Sequence, residues 1–234
     1  MSLNASIIDN PVLLAVGALT GALLGPATAA TSIAVPDGHW PWQGKSGWVL
    51  GEPARARRRV LMTVAGTAIL GSLAAVVGWR PALLAFLVMG IIGATLTVID
   101  LEHHRLPDRL VAAGAVGSMA SLAVDASVTG SWSAVVRGLL CAAVAFVVFF
   151  GMALISPRGM GFGDVKLAAL LSLHTGWLSW ELAVIALLAG FVVGALTSLA
   201  LVMTSRVTLQ TAIPFGPALL VGAWLVVIAT PAAG

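Results

Sequence analysis

The sequence contains no tyrosine and a single cysteine, and only 9% of its 234 residues are charged. One cysteine excludes a disulfide within the chain, and the apolar run around Cys141 predicts a small buried hydrophobic side chain there. Soluble domains carry about 25% charged residues. The scarcity of charge, with 59% hydrophobic residues and a mean hydropathy of +1.05, therefore excludes an ordinary soluble domain and predicts a polytopic membrane protein.

Long apolar runs, in contrast, are abundant. A hydrocarbon core about 30 Å thick needs about 20 apolar residues per helix, and helices are the default because lipid leaves free backbone N–H and C=O groups unsatisfied. We predict an all-α bundle of about eight transmembrane helices, of which the sixth and the eighth are short. The predicted segments are Pro11–Ile33, Val60–Val77, Pro81–Ile99, Leu110–Val128, Val135–Ile155, Val165–Leu178, Ala183–Met203 and Gly216–Thr230.

The basic residues are distributed unevenly over the connections between these segments. Two of them, Arg80 and Arg137, fall on one side of the membrane, and the other ten fall on the opposite side. Cytoplasmic loops carry an excess of lysine and arginine. The connections that hold the ten are therefore predicted to be cytoplasmic, namely 34–59, 100–109, 156–166 and 204–215.

The chain is predicted to consist of two parts. Residues 1–59 comprise one span and a cytoplasmic connection that contains tryptophan, proline and arginine residues, and residues 60–234 form the membrane-embedded part that holds the reactive groups. Gly17, Gly21 and Gly25 recur every four positions in the first span. This spacing predicts that two helices pack closely along these glycines.

Four of the nine acidic residues lie on the predicted cytoplasmic side close to the spans, and they are Asp100, Glu102, Asp108 and Asp164. Asp100 directly follows the third segment and is predicted to lie in the polar connection 100–109. Asp164 directly precedes the sixth segment, so the alternation of spans puts both carboxylates at the same depth. Ionisable residues at membrane depth are costly and are therefore functional candidates.

Two facing carboxylates have a chemistry that one alone lacks. They cannot both ionise cheaply, so they share a proton and titrate as a unit. The ionised member can act as general base on a water while the protonated member polarises a scissile carbonyl, and this requires no metal. We therefore predict that Asp100 and Asp164 form the catalytic pair of an aspartyl peptidase without a cofactor.

The glycine-rich turn before Asp164 supplies further candidates. Gly161 and Gly163 carry no Cβ, so an extended substrate backbone could approach them closely. Asp164 is predicted to lie at or near a helix N-terminus, where negative charge is favoured. Lys166 is predicted either to tune the carboxylate pair or to extend its charge to the membrane interface.

Other functions fit parts of the same pattern. Residues 159–164 lack the ending of a P-loop and the βαβ context of a dinucleotide-binding fingerprint. The run Asp100-Leu101-Glu102-His103-His104 also fits a metal site, because it mixes carboxylates and histidines. A transporter that relays protons or binds a cation through membrane carboxylates remains an alternative, as does a purely structural membrane protein.

Three motifs resemble, in their order, those of the type IV prepilin peptidases, which are GxGD-type intramembrane aspartyl peptidases. The resemblance implies that Asp100 and Asp164 are catalytic and that Pro107, Pro214 and Gly216 support the site. It covers roughly residues 85–230 through the motifs Ile99-Asp100-Leu101 with Pro107-Asp108-Arg109-Leu110, Gly161-Phe162-Gly163-Asp164-Val165-Lys166-Leu167, and Ile213-Pro214-Phe215-Gly216-Pro217.

The resemblance also implies a location and partners. It predicts a multi-pass protein of the bacterial inner membrane whose active site faces the cytoplasm. The implied substrate is a prepilin or pseudopilin, cut after a glycine just before its hydrophobic N-terminal helix, with membrane lipids as the surroundings and no nucleic acid as a partner. Glu102 and Asp108 lie close to Asp100, so we expect them to meet basic residues of the substrate's leader.

The N-terminal third departs from the family's pattern. Residues 17–25 only faintly resemble its first span, and the paired CxxC motifs of bifunctional members are absent, so we expect no four-cysteine zinc module and no support for N-methylation of the product. A presenilin-like GxGD protease is a related alternative, because Pro217-Ala218-Leu219 spells the PAL tripeptide of that branch. That branch also expects a tyrosine before its first aspartate, which is missing here, and Lys166 favours the prepilin branch.

Overall fold

The computed structural model describes residues 11–35, 56–103, 106–156, 160–204 and 214–230. All regular secondary structure within these ranges is helical. The helices are α1 (Pro11–Ala34), α2 (Ala56–Val77), α3 (Ala82–His103), α4 (Asp108–Thr129), α5 (Trp132–Ile155), α6 (Phe162–Leu178), α7 (Trp180–Met203) and α8 (Gly216–Ala229).

Each predicted segment coincides with one of these helices, which confirms the all-α bundle. Six helices, α1 to α5 and α7, are long and apolar enough to cross a membrane. The sixth and eighth helices are shorter, with 17 and 14 residues, in line with the prediction. The chain is therefore a multi-pass membrane protein.

Two helix boundaries differ from the predicted ones at charged ends. α3 continues past Ile99 to His103, so Asp100 and Glu102 lie in its last turn and the prediction that they occupy a connecting loop is wrong. α2 begins at Ala56 and so includes the arginines at 57–59. Long basic side chains can extend from a helical backbone into the interface, so a helix need not end where its apolar run ends.

α1 and α2 pack closely along the small residues predicted for this role. A Cβ added at Gly21 would lie 2.2 Å from the carbonyl oxygen of Gly66 in α2, and one added at Gly17 would lie 2.4 Å from that of Leu70. Both distances are far below van der Waals contact, so the two backbones can approach this closely only where the side chain is a hydrogen atom.

Contacts between helix ends define the two ends of the bundle. At one end, called here the Asp100 end, α3 finishes and α4, α6 and α8 begin. Gly163 of α6 packs there against Leu106, which precedes α4, and Gly216 of α8 approaches Asp100. The reactive groups predicted from three separate stretches of sequence are thus assembled at one end of the bundle.

Two arginines order the opposite end. Arg80 Nη2 lies 2.6 Å from Oδ2 of the buried Asp125, and the N–H of Ala82, at the start of α3, donates to Asp125 Oδ1 at 3.1 Å. Arg137 donates to carbonyl oxygens of the last turn of α6, including that of Leu178 at 2.9 Å. Cations at a helix C-terminus satisfy its free carbonyl groups, so these residues fix the ends of α3 and α6.

α6 runs through the centre of the bundle, and most of its residues are buried. His174 ties it to α4, with Nε2 2.9 Å from Ser118 Oγ, while its Nδ1 lies 2.8 Å from the carbonyl oxygen of Leu170 within α6. Cys141 of α5 is buried against Gly176, which confirms the predicted buried thiol. This central position holds the N-terminus of α6, and with it Asp164, in a fixed place.

Candidate active site

Asp100 lies in the last turn of α3 and is 5% exposed. The first residue of α8 approaches it closely, because a Cβ added at Gly216 would lie 2.7 Å from Asp100 Oδ2 and 3.5 Å from a methyl carbon of Leu167. A side chain at Gly216 would therefore collide with the carboxylate. The third sequence motif meets the first at this point.

The start of α8 is encoded by its flanking residues. Pro214 is half-buried immediately before the helix, and Phe215 is the N-cap. Pro217 lies in the first turn, where the missing N–H would have had no partner in any case. The Phe215 ring packs 5.0 Å from that of Phe191 in α7, and this contact anchors Gly216 beside Asp100.

Asp164 lies in the first turn of α6 and is 9% exposed. The Gly161 N–H donates to Asp164 Oδ2 at 3.2 Å, and the Asp164 N–H donates to the Gly161 carbonyl oxygen at 3.0 Å. The first contact is the acidic half of a capping box, and negative charge is favoured at this end of a helix. The glycine-rich turn thus starts the helix and also orients the carboxylate.

Asp100 and Asp164 are electrostatically coupled. Asp164 belongs to none of the six candidate spans and lies at the boundary where α6 begins. Burial and, next, the negative charge of Asp100 raise the pKa of the Asp164 carboxyl from 3.8 to about 6, against the opposing effect of the Gly161 hydrogen bond. The fold therefore places the Asp100 carboxyl near enough to Asp164 for its negative charge to act on that group.

The raised pKa of Asp164 predicts a pH-dependent effect on stability. The folded state binds this proton more tightly than the unfolded chain does, so ionisation of Asp164 costs stability as the pH rises from about 4 to about 6, by at most about 3 kcal/mol. Asp164→Asn keeps an acceptor for Gly161 and removes the charge. We expect this variant to unfold several degrees above the wild type at neutral pH and at the wild-type temperature near pH 4, measured by thermal unfolding in detergent.

Glu181→Gln is the control for this measurement, because it removes an exposed carboxylate at the opposite end of the bundle. We expect no gain in unfolding temperature at neutral pH for this variant. If Asp164→Asn shifts the unfolding temperature equally at both pH values, the pKa of Asp164 is not raised.

Gly161 and Gly163 have different surroundings. A Cβ on Gly163 would lie 2.8 Å from Cβ of Leu106, which adjoins Pro107, the N-cap of α4. A Cβ on Gly161 would meet its nearest atom, Asp164 Oδ2, at 3.6 Å, which is ordinary contact. The space beside Gly163 is thus filled by the chain itself, whereas that beside Gly161 is open, and room for a substrate backbone remains a prediction for Gly161.

The remaining predicted side chains form two ion pairs around the carboxylates. Lys166 Nζ lies 2.6 Å from Asp108 Oδ1 and 4.5 Å from the centroid of the Phe162 ring. Glu102, in the last turn of α3, pairs with Arg58 in the first turn of α2. The Asp108 side chain is 74% exposed, so Lys166 is held on the solvent-facing side of the site.

Three residues of the site were not predicted as part of it. Leu106 fills the space beside Gly163, Phe162 lies under the Lys166 ammonium, and Arg58 pairs with Glu102. Leu106 and Phe162 stand beside or within the motifs, which is a signal that could have identified them. Arg58 carries no such signal, because only the packing of α2 beside α3 brings it to Glu102.

The predicted metal alternative at residues 100–104 lies partly outside the described residues, since His104 belongs to a gap. Within the ranges that the structure describes, no three side chains of His, Cys, Asp or Glu are grouped so that they could hold a metal ion. Among the residues of the run 100–104 that the structure describes, Glu102 forms an ion pair with Arg58, and Asp100 lies against Gly216.

Comparison with known proteins agrees with the first two motifs. Residues 88–199 match the family described as the type IV leader peptidase family. Among curated proteins, the chain is similar to a prepilin leader peptidase/N-methyltransferase of Pseudomonas putida, with 31% identity over 138 residues, covering 57% of this chain and 45% of that protein. Proteins of the same name from Stutzerimonas stutzeri and Aeromonas hydrophila are each 30% identical over 158 and 152 residues, covering 64% of this chain and 50% of each relative.

The chain therefore spans about half the length of the curated relatives it matches. No solved structure matches it. The segment that matches the family begins within α3 and ends within α7, so it contains both Asp100 and Asp164. This match, which covers slightly less than half of the chain, and the motifs that the bundle assembles at one end make the segment from α3 to α7 similar to the type IV leader peptidase family.

Proposed function

We propose that this chain is an aspartic endopeptidase that removes the leader peptides of prepilin-like substrates, with Asp100 and Asp164 as its catalytic pair. One observation carries the proposal: two buried carboxyls from separate motifs lie at the same end of the bundle, in α3 and α6, and the charge of Asp100 contributes to the raised pKa of Asp164. Carboxyls perturbed by burial and by a like charge are typical of acid–base catalysis. The substrate class is taken from the names of the curated relatives.

In the proposed mechanism the pair holds one proton. The ionised carboxylate takes a proton from a water as the water oxygen attacks the scissile carbonyl carbon, and the protonated carboxyl donates to the carbonyl oxygen. The tetrahedral intermediate then collapses, the C–N bond breaks and the leaving amine takes up a proton. Burial assists this scheme, because two carboxylates in a poorly hydrated site cannot both remain ionised cheaply.

The proposed active site faces the cytoplasm. Membrane proteins carry an excess of lysine and arginine on their cytoplasmic side, and the described cations are divided accordingly between the two ends of the bundle. Arg80 and Arg137 lie at the opposite end. The cations described at the Asp100 end are Arg57, Arg58, Arg59, Arg109 and Lys166.

Both catalytic carboxyls are nearly inaccessible, so a leader must approach through the exposed groups around them. Glu102 and Asp108 pair with Arg58 and Lys166 in this structure. Exposed ion pairs of this kind contribute only about 0–1 kcal/mol, so a partner exchange is inexpensive. We attribute to these two acids the binding of basic residues in the leader. The basic residues of the leader would then replace Arg58 and Lys166 as their ion-pair partners.

This role predicts a selective effect on substrate binding. Glu102→Gln combined with Asp108→Asn is expected to raise the KM for a basic leader by about three- to tenfold while kcat changes less, because exposed pairs are worth about 0–1 kcal/mol each. A leader whose basic residues are replaced by glutamine is the matched control and should be cleaved equally by variant and wild type. An unchanged KM for the basic leader removes the support for this role.

The proposal is confined to peptide cleavage. The name of the curated relatives includes N-methyltransferase, but this chain covers about half of their length. We expect the new N-terminus to remain unmethylated by this chain, because the motifs assembled at the Asp100 end are those of the peptidase.

Mass spectrometry of the substrate tests the function directly. A prepilin-like protein with a basic leader, a glycine at the junction and a hydrophobic helix is co-expressed with the chain, and its intact mass is measured. We expect loss of the leader after the glycine, with no added methyl group and no inhibition by EDTA, since a carboxyl pair needs no metal. An unprocessed substrate beside a correctly inserted chain would overturn the proposal. Cleavage that EDTA abolishes would favour a metal enzyme, and solute flux without cleavage would favour a transporter.

A further inference from the structure

A partly open and almost wholly apolar cavity of about 340 Å³ lies between α2, α3, α6 and α8. Near the Asp100 end it is lined by Leu61, Met62 and Val98, and it runs toward Phe86 and Val227 near the opposite end. Neither Asp100 nor Asp164 lines it. The proposed chemistry therefore leaves this cavity without a role.

The size of the cavity favours a single hydrocarbon chain. An α-helix with its side chains is about 10–12 Å across, whereas a hydrocarbon chain is much thinner and can lie within a narrow apolar cavity. Apolar cavities exclude water and accept apolar groups. The polar groups on the wall are already satisfied within the protein, because His174 contacts Ser118 and Leu170 and Thr175 donates to Leu171.

The mouth of the cavity at the Asp100 end is basic. Arg57 and Arg58 precede Leu61 and Met62 by about one helical turn, and residues three and four positions apart share a helix face. Arg58 pairs with Glu102. Arg57 is exposed, and it has no ion-pair partner among the residues that the structure describes. A free guanidinium at this depth attracts acidic phospholipid headgroups.

We propose that the cavity binds one acyl chain of an anionic phospholipid whose phosphate is held by Arg57 at the membrane surface. The apolar wall lies where the acyl chain of such a lipid would lie, and the arginine lies where its phosphate would lie. Neither feature alone specifies this ligand. The acyl chain runs along α3 and α8, the two helices that bring Asp100 and Gly216 together. The bound lipid is thus a structural ligand beside the candidate active site, and its binding does not depend on the proposed catalysis.

Native mass spectrometry of the full chain, delipidated in detergent, tests this site. Phosphatidylglycerol is compared with phosphatidylcholine, which carries no net charge. Diacylglycerol supplies the acyl chains without a charge, and inorganic phosphate supplies the charge without an acyl chain. We expect one phosphatidylglycerol to be retained per protein. Phosphatidylcholine and diacylglycerol should each bind at least about fivefold more weakly, since an arginine near the surface contributes about 1 kcal/mol toward an acidic lipid. Inorganic phosphate should not be retained.

Two variants and two matched controls assign the binding to the cavity. Arg57→Gln is expected to weaken phosphatidylglycerol binding about fivefold, and Ala94→Phe, which fills the cavity from α3, is expected to abolish it. Arg109→Gln removes another exposed cation at the Asp100 end, and Ala143→Phe enlarges an exposed position of α5 away from the cavity. Both controls should bind as the wild type does.

Several results would overturn the proposal. They are wild-type binding in both Arg57→Gln and Ala94→Phe, equal binding of phosphatidylcholine, or retention of inorganic phosphate by itself. If Ala94→Phe fails to fold, Arg57→Gln decides the question, because an exposed side chain is not required for folding. Leader cleavage is not measured in any of these experiments, so their failure is distinguishable from failure of the proposed function.

Discussion

Replacement of either Asp100 or Asp164 by asparagine is expected to abolish leader cleavage while the protein stays inserted in the membrane. An amide can neither accept a proton from the attacking water nor donate one as an acid, so the rate should fall at least about 10³-fold. Because the two carboxyls act as a unit, the double variant should be no slower than either single variant. Initial rates of leader removal from a prepilin-like substrate measure the effect.

The control for these variants is Glu181→Gln, which removes a carboxylate at the opposite end of the bundle. It should cleave at the wild-type rate, and thermal unfolding should show that both asparagine variants are folded. Full activity in either asparagine variant would sink the proposed mechanism, since neither carboxyl can be dispensable to a pair that divides the acid and base roles.

Gly216→Ala is expected to have the second largest effect. The added methyl group would lie 2.7 Å from Asp100 Oδ2, well inside van der Waals contact, so the carboxylate or the start of α8 must move. A displacement of about 1 Å at a catalytic group costs about 10²-fold in rate. We expect kcat for leader cleavage to fall by about this factor, and the unfolding temperature to change little because the collision is with a side chain at a helix end.

Gly151→Ala is a matched control for this substitution. It makes the same change in the interior of α5, where no other atom lies within 4 Å of the added Cβ. Alanine is favoured over glycine inside a helix by up to about 1 kcal/mol, so this variant should be fully active and at least as stable as the wild type. If Gly216→Ala were as active as Gly151→Ala, the close approach of α8 to Asp100 would have no part in forming the site.

The three motifs contribute different parts of one end of the bundle. α3 carries one carboxyl, the turn before α6 orients the second through Gly161, and α8 closes against the first through Gly216. The ion pairs of Glu102 and Asp108 lie around them, at the exposed side. None of the three parts forms a site alone, which explains why a lone glycine-rich turn with one aspartate predicts so little.

Much of this arrangement could be predicted from the chain. Apolar runs of membrane length predicted all eight helices, and their alternation put Asp100 and Asp164 at the same end, where the structure places them. These are properties of contiguous segments, set by the thickness of the hydrocarbon core and by the unequal distribution of basic residues. The helical position of Asp100 was missed, because charged residues do not stop a helix that leaves the membrane.

The pairing of groups from different helices was decided only by the tertiary structure. In a soluble protein, polar residues mark the outer face of a helix, but in a membrane both the packed face and the lipid-facing side are apolar, so the sequence pattern carries little information on which face meets which neighbour. The pairing of Arg58 with Glu102, the room that Gly216 leaves for Asp100, and the cavity below Arg57 all follow from those faces. The sequence alone determined which residues are candidates for the site and at which end of the bundle they lie, and the packing of α2, α3, α6 and α8 determined what they contact.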